Sequence, residues 1–147
     1  EMPEIRPYQD PSDREQVIQL WRAAFGYDAA HNDPALAIAK KMAVQDGLFF
    51  VAAQGQSIVG TAMAGYDGHR GWLYSVAVLA EQRGTGLGSR LVRFAEAALA
   101  QRGCLKINLQ LVASNEATAA FYQSLGYVIE PRISMGKVLH HNVPTAH

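Results

Sequence analysis

Three apolar segments lie close together in the middle of the sequence and constrain the fold more than any other feature. They cover residues 48–53, 58–66 and 72–79, and the links between them are residues 54–56 and 67–71. Short links that contain glycine, one of them with an Asp-Gly pair, are typical of β-hairpins. The sequence therefore predicts an antiparallel meander of three strands at the centre of the protein.

Segments with helical spacing of apolar residues flank this meander on both sides. The predicted order is strand 4–8, helices 12–26 and 33–45, the meander, helix 86–103, strand 105–112, helix 115–126, and a closing hairpin of strands 128–129 and 133–139. Ser12 and Glu15 have the spacing of a capping box at the start of the first helix. Strand 105–112 follows a helical crossover and is expected to lie parallel to strand 72–79. The predicted fold class is α+β with a mixed sheet.

Composition excludes several classes of protein. The chain has 147 residues, of which 49% are apolar and 18% charged, so it can bury the core of one domain. A single cysteine, Cys104, excludes an intramolecular disulfide framework and a thiolate-rich zinc site, and we expect it to serve only in packing. The longest apolar run is too short for a membrane span, and no signal-peptide pattern is present. We predict a soluble, cytoplasmic protein with one domain over residues 1–147 and no bound metal.

The charges sum to zero but are unevenly distributed. Residues 1–81 carry 6 basic and 10 acidic side chains, whereas residues 82–147 carry 7 and 3. The zero sum gives no indication of a nucleic-acid or membrane-surface partner. The acidic part suits a cationic ligand and the basic part a polyanionic one, although ordinary solvated surface charge explains the distribution equally well.

A glycine-rich loop connects the third strand of the meander to the next helix. Its sequence over residues 83–89 is Arg-Gly-Thr-Gly-Leu-Gly-Ser. Such a loop presents free backbone N–H groups at the positive end of a helix dipole, which makes it a candidate phosphate site. It lacks the Gly-Lys-Ser/Thr ending of a Walker loop, and Ser89 stands where a dinucleotide fingerprint needs glycine. The alternative is a glycine-rich turn without a ligand.

Polar side chains lie on one face of the helix predicted from residue 115. Asn115, Thr118 and Tyr122 are spaced three and four residues apart, opposite the apolar face. Asn115 and Tyr122 lie two turns apart, about 10 Å along the helix axis. They could line a long, thin ligand, or Tyr122 could be a surface tyrosine that anchors the helix.

Together these motifs resemble the GNAT superfamily of acetyl-CoA-dependent N-acetyltransferases. Residues 83–88 match its R/Q-x-x-G-x-G/A pyrophosphate loop, residues 73–78 match the preceding strand, and residues 115–127 match its N…(L/F)Y-x-x-L-G-(F/Y) helix. Residues 65–71 resemble a bacterial subgroup, the YpeA-like acetyltransferases. The resemblance implies one GNAT domain with a mixed sheet of six to seven strands and about four flanking helices.

The resemblance also implies which residues hold acetyl-CoA. The backbone amides of the loop would bind the pyrophosphate, and these belong to Arg83, Gly84, Thr85, Gly86, Leu87, Gly88 and Ser89. A bulge in strand 72–79, which splays from strand 105–112, would present backbone groups of Val76, Ala77 and Val78 to the pantetheine arm. One of these N–H groups would polarise the thioester carbonyl. Asn115 would hydrogen-bond the pantetheine arm.

Tyr122 is the catalytic residue that the resemblance implies, as the general acid that protonates the leaving thiolate. The general base is not identified. Gln110 stands where ribosomal-protein acetyltransferases carry glutamate, and Trp72 begins the strand where other members carry one. Asp28, Asp67, His69, a water relay or an amine that arrives neutral remain as alternatives.

The predicted reaction is transfer of an acetyl group from acetyl-CoA to a primary amine by direct attack in a ternary complex. The amine would belong to a small molecule or to a peptide or protein N-terminus. The alternative is a non-catalytic acyl-CoA-binding regulatory module. Four aromatic residues could line the acceptor pocket or fill the core, namely Trp21, Tyr27, Tyr66 and Tyr74, and we favour the core for Trp21. Homodimerisation through the last strands stays open.

Overall fold

A five-stranded sheet, in which the strands follow chain order, organises the fold. The computed structural model describes residues 2–26 and 33–139. Its contacts divide the chain into two units, Glu1–Leu111, which holds the sheet, and Val112–His147. The elements of the first unit are β1 (Glu4–Pro7), α1 (Arg14–Phe25), α2 (Pro34–Val44), β2 (Phe49–Gln54), β3 (Ser57–Tyr66), β4 (Gly71–Val78), α3 (Leu87–Gln101) and β5 (Ile107–Asn108).

The strands β2, β3 and β4 form the antiparallel meander that the short glycine-containing links predict. The strand β1, which α1 and α2 separate from β2 in the sequence, also pairs antiparallel with β2. The last pairing, between β4 and β5, is parallel because α3 carries the chain back across the sheet. The α+β class and the mixed sheet are therefore confirmed. The sheet has five strands, fewer than the six to seven predicted.

Helices cover both faces of this sheet. On one face, α1 and α2 bury Trp21 and Ile38 against Phe49 and Met63. Trp21 is 0% exposed and stacks on Phe49 with ring centroids 5.7 Å apart. On the other face, the α3 residue Leu91 packs with buried side chains of β2 and β3. The prediction that Trp21 belongs to the core is confirmed.

The two N-terminal helices begin differently from each other. Asp33 caps α2, because its Oδ2 accepts a hydrogen bond from the Leu36 N–H (3.1 Å). The capping box predicted for α1 is wrong, since Ser12 Oγ donates to the Gln9 carbonyl and the N-cap is Asp13. The Asp13 carboxylate instead accepts from the Gln9 N–H (2.8 Å) and two hydrogen bonds from the Arg6 guanidinium (2.7 and 3.0 Å).

The Arg6–Asp13 pair makes stability depend on pH. Burial raises the pKa of Asp13, but the hydrogen bonds from Arg6 and Gln9 outweigh it and hold the pKa below its ordinary value. The stability from this pair is therefore present above the unfolded pKa of about 4 and is lost as the pH falls further. We expect Asp13→Asn to lower the free energy of unfolding by about 1–3 kcal/mol at neutral pH.

Urea unfolding at neutral and acidic pH measures this prediction. Below about pH 4 the difference between wild type and Asp13→Asn should shrink, because the wild-type carboxyl becomes protonated. A difference that stays constant down to low pH would contradict the role of the Asp13 charge.

The prediction of a strand over residues 105–112 is wrong in its length, because only Ile107–Asn108 pairs with β4. Leucine and isoleucine alternate through this segment, and alternation indicates a strand. A strand also needs a neighbour for its backbone, however, and the parallel ladder has two residue pairs. Leu105, which the pattern assigns to the apolar face, is 97% exposed.

The second unit holds one helix, α4 (Glu116–Ser124). The prediction of a closing hairpin is also wrong, because the described residues 127–139 contain no strand. The apolar side chains of this segment are exposed, with Ile133 at 91% and Met135 at 89%. A β-propensity pattern without a sheet surface to cover it does not produce a strand.

Candidate functional site

A β-bulge in the middle of β4 gives this strand an unusual local geometry. Met63 on β3 pairs with Tyr74, whereas Thr61, two residues away, pairs with Ala77, three residues away. One extra residue is therefore inserted in β4. Ser75 takes a left-handed backbone conformation there, with φ +51°, which is uncommon for a residue other than glycine. The bulge implied by the family resemblance is present.

A buried hydrogen-bond chain holds the bulge. The Trp21 indole Nε1–H donates to Thr61 Oγ1 (2.8 Å), and the Thr61 hydroxyl donates to the Ser75 carbonyl (2.8 Å). Trp21 and Thr61 are both 0% exposed. Both bonds lie in the interior, where losing a partner is costly, so they fix the strained Ser75 backbone. Sequence analysis did not identify Thr61, because a threonine in a strand carries no signal of such a role.

The bulge changes which face of the sheet the following residues meet. Val76 and Val78 pack with the cluster that contains Leu91, on the α3 side, whereas Ala77 joins the cluster of Trp21 on the opposite side. Tyr74, the residue before the bulge, contacts α2. A regular strand would place residues 74 and 76 on the same face, so the extra residue separates them.

The edge of β4 beyond the bulge is open within the first unit. The parallel ladder to β5 ends at Trp72 and Asn108, while β4 continues to Val78. Backbone groups along such an edge can bond an extended ligand in the manner of an added strand. This is the arrangement in which the resemblance places Val76, Ala77 and Val78.

The glycine-rich loop links β4 to α3 in the same unit. Gly84 and Gly86 have φ values of +78° and +86°, and a Cβ at either position would meet no atom within 4 Å. The positive φ angle is therefore the reason for glycine at these two positions, since a side chain would not clash with a neighbouring atom. The Thr85 hydroxyl donates to the Gln82 carbonyl (2.6 Å), which fixes the turn.

The start of α3 offers backbone donors beside this loop. The first intrahelical bond runs from the Arg90 N–H to the Gly86 carbonyl (3.1 Å). The N–H groups of Leu87, Gly88 and Ser89 precede that bond at the positive end of the helix, and the Leu87 N–H donates to Thr85 Oγ1 (3.4 Å). The loop and the first turn together suit a phosphate or pyrophosphate.

Asn115 and Tyr122 both lie in the second unit. Asn115 caps α4, since its Oδ1 accepts from the Thr118 N–H (3.2 Å). The helix ends in a Schellman motif, in which Gly126 (φ +95°) lets the Tyr127 N–H bond to the Tyr122 carbonyl (3.1 Å). The same turn places the Tyr127 ring against the Tyr122 ring, with centroids 5.5 Å apart.

The Tyr122 phenol is shielded from solvent. The residue is 7% exposed, and burial raises the pKa of its hydroxyl to about 12. A phenol with this pKa stays protonated at neutral pH, so it can donate a proton but cannot serve as a resting base.

A pocket of about 590 Å³ opens on the α2 side of the sheet, within the first unit. It contains three aromatic side chains, two carboxylates, one ammonium group and one amide. The polar and aromatic lining residues are Lys41, Asp46, Tyr66, Asp67, Trp72, Tyr74 and Gln110. Tyr74, one of these lining residues, directly precedes the bulge at Ser75.

Lys41 is the buried cation of this pocket. Its Nζ donates to Asp46 Oδ2 (2.8 Å), to the Tyr74 hydroxyl (3.0 Å) and to the Ala64 carbonyl. An ammonium group has three N–H bonds, so these partners use all of them. Lys41 therefore neutralises Asp46 and positions the Tyr74 ring, a role that sequence analysis missed because a lysine on a helix is usually solvated.

Two predicted acceptor residues, Tyr66 and Tyr74, line the pocket, whereas Tyr27 and Asp28 lie outside the described residues. Asp67 accepts from the His69 and Arg70 N–H groups (2.8 and 2.7 Å), so this candidate base stabilises the β3–β4 turn. Gln110 reaches the pocket but cannot accept a proton.

Two further findings concern only residues 2–26 and 33–139. None of the helices there is both long and apolar enough to cross a membrane. The same residues contain no group of three or more His, Cys, Asp or Glu side chains arranged to hold a metal ion.

Comparison with known sequences gives a consistent result. Residues 14–127 match the acetyltransferase (GNAT) family. A relative named acetyltransferase YE1169, from Yersinia enterocolitica serotype O:8 / biotype 1B, is 39% identical over 136 residues, which is 92% of this chain and 95% of that protein.

Solved structures show the same fold. Ard1 from Thermoplasma volcanium has a TM-score of 0.78 at 23% identity, over 88% of this chain and 85% of that one. AAC(6')-Iy in complex with the bisubstrate analogue CoA-S-monomethyl-acetylneamine has a TM-score of 0.74 at 18% identity, over 95% and 100%. At these identities the similarity concerns the fold.

Proposed function

Because this chain belongs to the GNAT family and is an acetyl-CoA-dependent acetyltransferase, we propose that it acetylates a primary amine by direct attack in a ternary complex. The amine belongs to a small molecule or to a peptide or protein N-terminus. The observation that carries the proposal is the bulged β4 with its open edge, followed directly by the glycine loop at the start of α3.

The loop and the open edge supply the donor site in this proposal. Residues 83–89 hold the pyrophosphate through their backbone amides. The N–H groups of Arg83, Thr85 and Leu87 already donate within the loop. The donors that we assign to the ligand are therefore those of Gly84, Gly86, Gly88 and Ser89. Backbone groups of residues 76–78 bond the pantetheine arm along the edge. The Asn115 carbonyl oxygen caps α4, so its amide NH₂ is the group left to hydrogen-bond the ligand.

The bulge and Tyr122 perform the chemical step. The amine nitrogen forms a bond to the acetyl carbon while the carbon–sulfur bond breaks, and the electron pair leaves with sulfur. One backbone N–H among Val76, Ala77 and Val78 stabilises negative charge on the carbonyl oxygen. Tyr122, which stays protonated at neutral pH because burial raises its pKa to about 12, donates its proton to the departing thiolate.

The pocket beside Tyr74 receives the acceptor. It borders the bulge, where the attacked carbonyl lies in this proposal, and its lining combines aromatic rings with carboxylates. Such a lining favours an amine over an anionic acceptor, because carboxylates attract ammonium groups and aromatic faces bind cations.

Thermal unfolding with ligands tests the donor site. We expect acetyl-CoA and CoA to raise the unfolding midpoint, and ATP and NADH to leave it unchanged. At a ligand concentration of about 100 Kd the stabilisation is about 2.7 kcal/mol, or about 5–10 °C for a chain of this size. Release of free CoA thiol in the presence of an amine panel then measures turnover.

The variant Ser89→Asp is a matched control for the loop. An aspartate in the first turn favours the helix dipole and so preserves α3, but its charge repels a pyrophosphate. The shift with CoA should therefore disappear in this variant. A wild-type shift with CoA but no product from any amine would indicate the non-catalytic acyl-CoA-binding module, and no shift at millimolar CoA would contradict the donor site.

A further inference from the structure

We propose that the pocket selects an acceptor with two cationic centres, the reactive amine at the bulge and a second cation beside the Asp67–Trp72 pair. The inference deepens the proposed function and rests on it. It assigns the substrate class as an organic diamine or polyamine, or another amine with a distant second positive charge.

The first step concerns the net charge of the pocket. Lys41 donates its three N–H groups to Asp46, Tyr74 and the Ala64 carbonyl, so it has no donor left for an anionic substrate group. Its charge is matched by Asp46, and the pair counts as neutral. The remaining carboxylate in the lining is Asp67.

Asp67 keeps its negative charge at neutral pH. The Arg70 and His69 N–H groups bond the carboxylate and hold the pKa of Asp67 below its ordinary value. The Arg70 guanidinium lies on the same turn, where its Nη1 contacts His69 Nε2 (2.8 Å). The Trp72 side chain also donates a hydrogen bond to this carboxylate. The carboxylate is therefore an anion at the pocket that two backbone donors and the Trp72 indole orient.

The aromatic rings supply a surface for the rest of the acceptor. Trp72 and Tyr74 are alternate residues of β4, so they project from the same face of the strand. Their exposed fractions are 37% and 42%, and both line the pocket. An alkyl chain can lie across these rings, and an ammonium group over the indole beside Asp67 gains a cation–π contact and an ion pair.

The strand sets the spacing between the two cationic centres. Ser75, at the bulge, lies three residue steps along β4 from Trp72, a distance of about 10 Å at the rise of a β-strand. The preferred acceptor should therefore carry its second charge about 10 Å from the reactive nitrogen.

Steady-state kinetics with a series of amines tests this inference. The wild-type protein is assayed with acetyl-CoA and α,ω-diaminoalkanes from diaminobutane to diaminodecane, each compared with the monoamine of the same chain length. We expect kcat/KM to favour the diamine by about ten-fold, with a maximum where the nitrogens are about 10 Å apart.

Two variants locate the second charge. Asp67→Asn keeps an oxygen to accept from the turn N–H groups but removes the charge, so the diamine preference should fall to about one-fold. Glu4→Gln removes a charge from β1, three strands from β4, which is about 14 Å away. We expect it to retain the wild-type preference.

The outcomes separate this inference from the proposed function. Equal kcat/KM for diamines and monoamines in the wild type would overturn the inference alone, and so would an Asp67→Asn variant that retains the preference. Binding of CoA without acetylation of any amine in this series, but with acetylation of another amine of the wider panel, would overturn the inference alone. Absence of product from the whole panel would overturn both.

Discussion

The Tyr122→Phe variant should acetylate amines at least about ten-fold more slowly than the wild type and bind acetyl-CoA with nearly unchanged affinity. The substitution removes the one hydroxyl that we assign to protonating the thiolate. It leaves the ring, which packs against Phe121 and Tyr127 with centroids 5.0 and 5.5 Å away. The fold is therefore expected to be preserved, and the loss should appear in kcat.

The raised pKa of Tyr122 sets the sign of the pH dependence. Burial raises this pKa to about 12, so the phenol stays protonated throughout the range in which the protein is assayed. Tyr122 should contribute no fall in kcat between neutral pH and about pH 10. A descending limb in that range that disappears in Tyr122→Phe would contradict the pKa argument.

Tyr127→Phe is the matched control, because it removes a phenol hydroxyl from the neighbouring ring in the same unit. We expect it to retain most of the wild-type kcat. If Tyr122→Phe also retains the wild-type rate, Tyr122 is not the general acid.

The second large effect is expected for Thr61→Val. Valine has nearly the shape of threonine but neither accepts from Trp21 nor donates to the Ser75 carbonyl, which are both 2.8 Å from the hydroxyl. Two buried groups then lose their partner, which costs about 1–3 kcal/mol each. The unfolding midpoint should fall by about 2–4 °C for every kcal/mol lost.

Thr61→Val should also lower activity through the bulge. Without the hydroxyl, Ser75 loses the hydrogen bond that holds its left-handed conformation. The backbone N–H groups of residues 76–78, which we propose to contact the thioester carbonyl, then lose their position. Loss of one such donor costs about 10²–10³-fold in kcat, and a partial displacement about ten-fold. Acetyl-CoA affinity should change less than kcat, because the pyrophosphate loop is untouched.

The Thr61→Ser variant separates the effect on the position of the bulge from the effect on the stability of the fold. Serine keeps the hydroxyl and loses only a methyl group. We expect it to recover most of the wild-type kcat even if its midpoint stays lowered. A Thr61→Val variant that is less stable at equal kcat would show that the hydrogen-bond chain serves folding only.

Features encoded by local sequence were predictable. Glycine-containing links between apolar segments define the meander, and the Asp33-Pro34 pair marks the start of α2. The glycine loop at the start of α3 was predictable for the same reason, since its backbone conformation needs residues without a Cβ. The YpeA-like subgroup and the role of Asn115 stay predictions.

Features that depend on distant contacts were not predictable from residue patterns. Thr61 and Ser75 look like ordinary strand residues, and their hydrogen bond exists only because the bulge brings the Ser75 carbonyl to the threonine. Lys41 is recognisable only once Asp46 and Tyr74 meet it. For residues 128–139 the residue pattern predicted a structure that is absent. Their apolar residues indicate strands, but the described structure contains no partner strand for them.

The bulge has a consequence for how such a protein can evolve. It sends Tyr74 to the α2 side and Val76 to the α3 side of the sheet, so in the proposed function neighbouring residues of one strand serve different ligands. Substitutions at Trp72 or Tyr74 can then change the choice of amine while the acetyl donor is held by unchanged backbone. Acceptor preference is therefore free to drift between lineages, and a designer could replace it with a few exchanges on one side of β4.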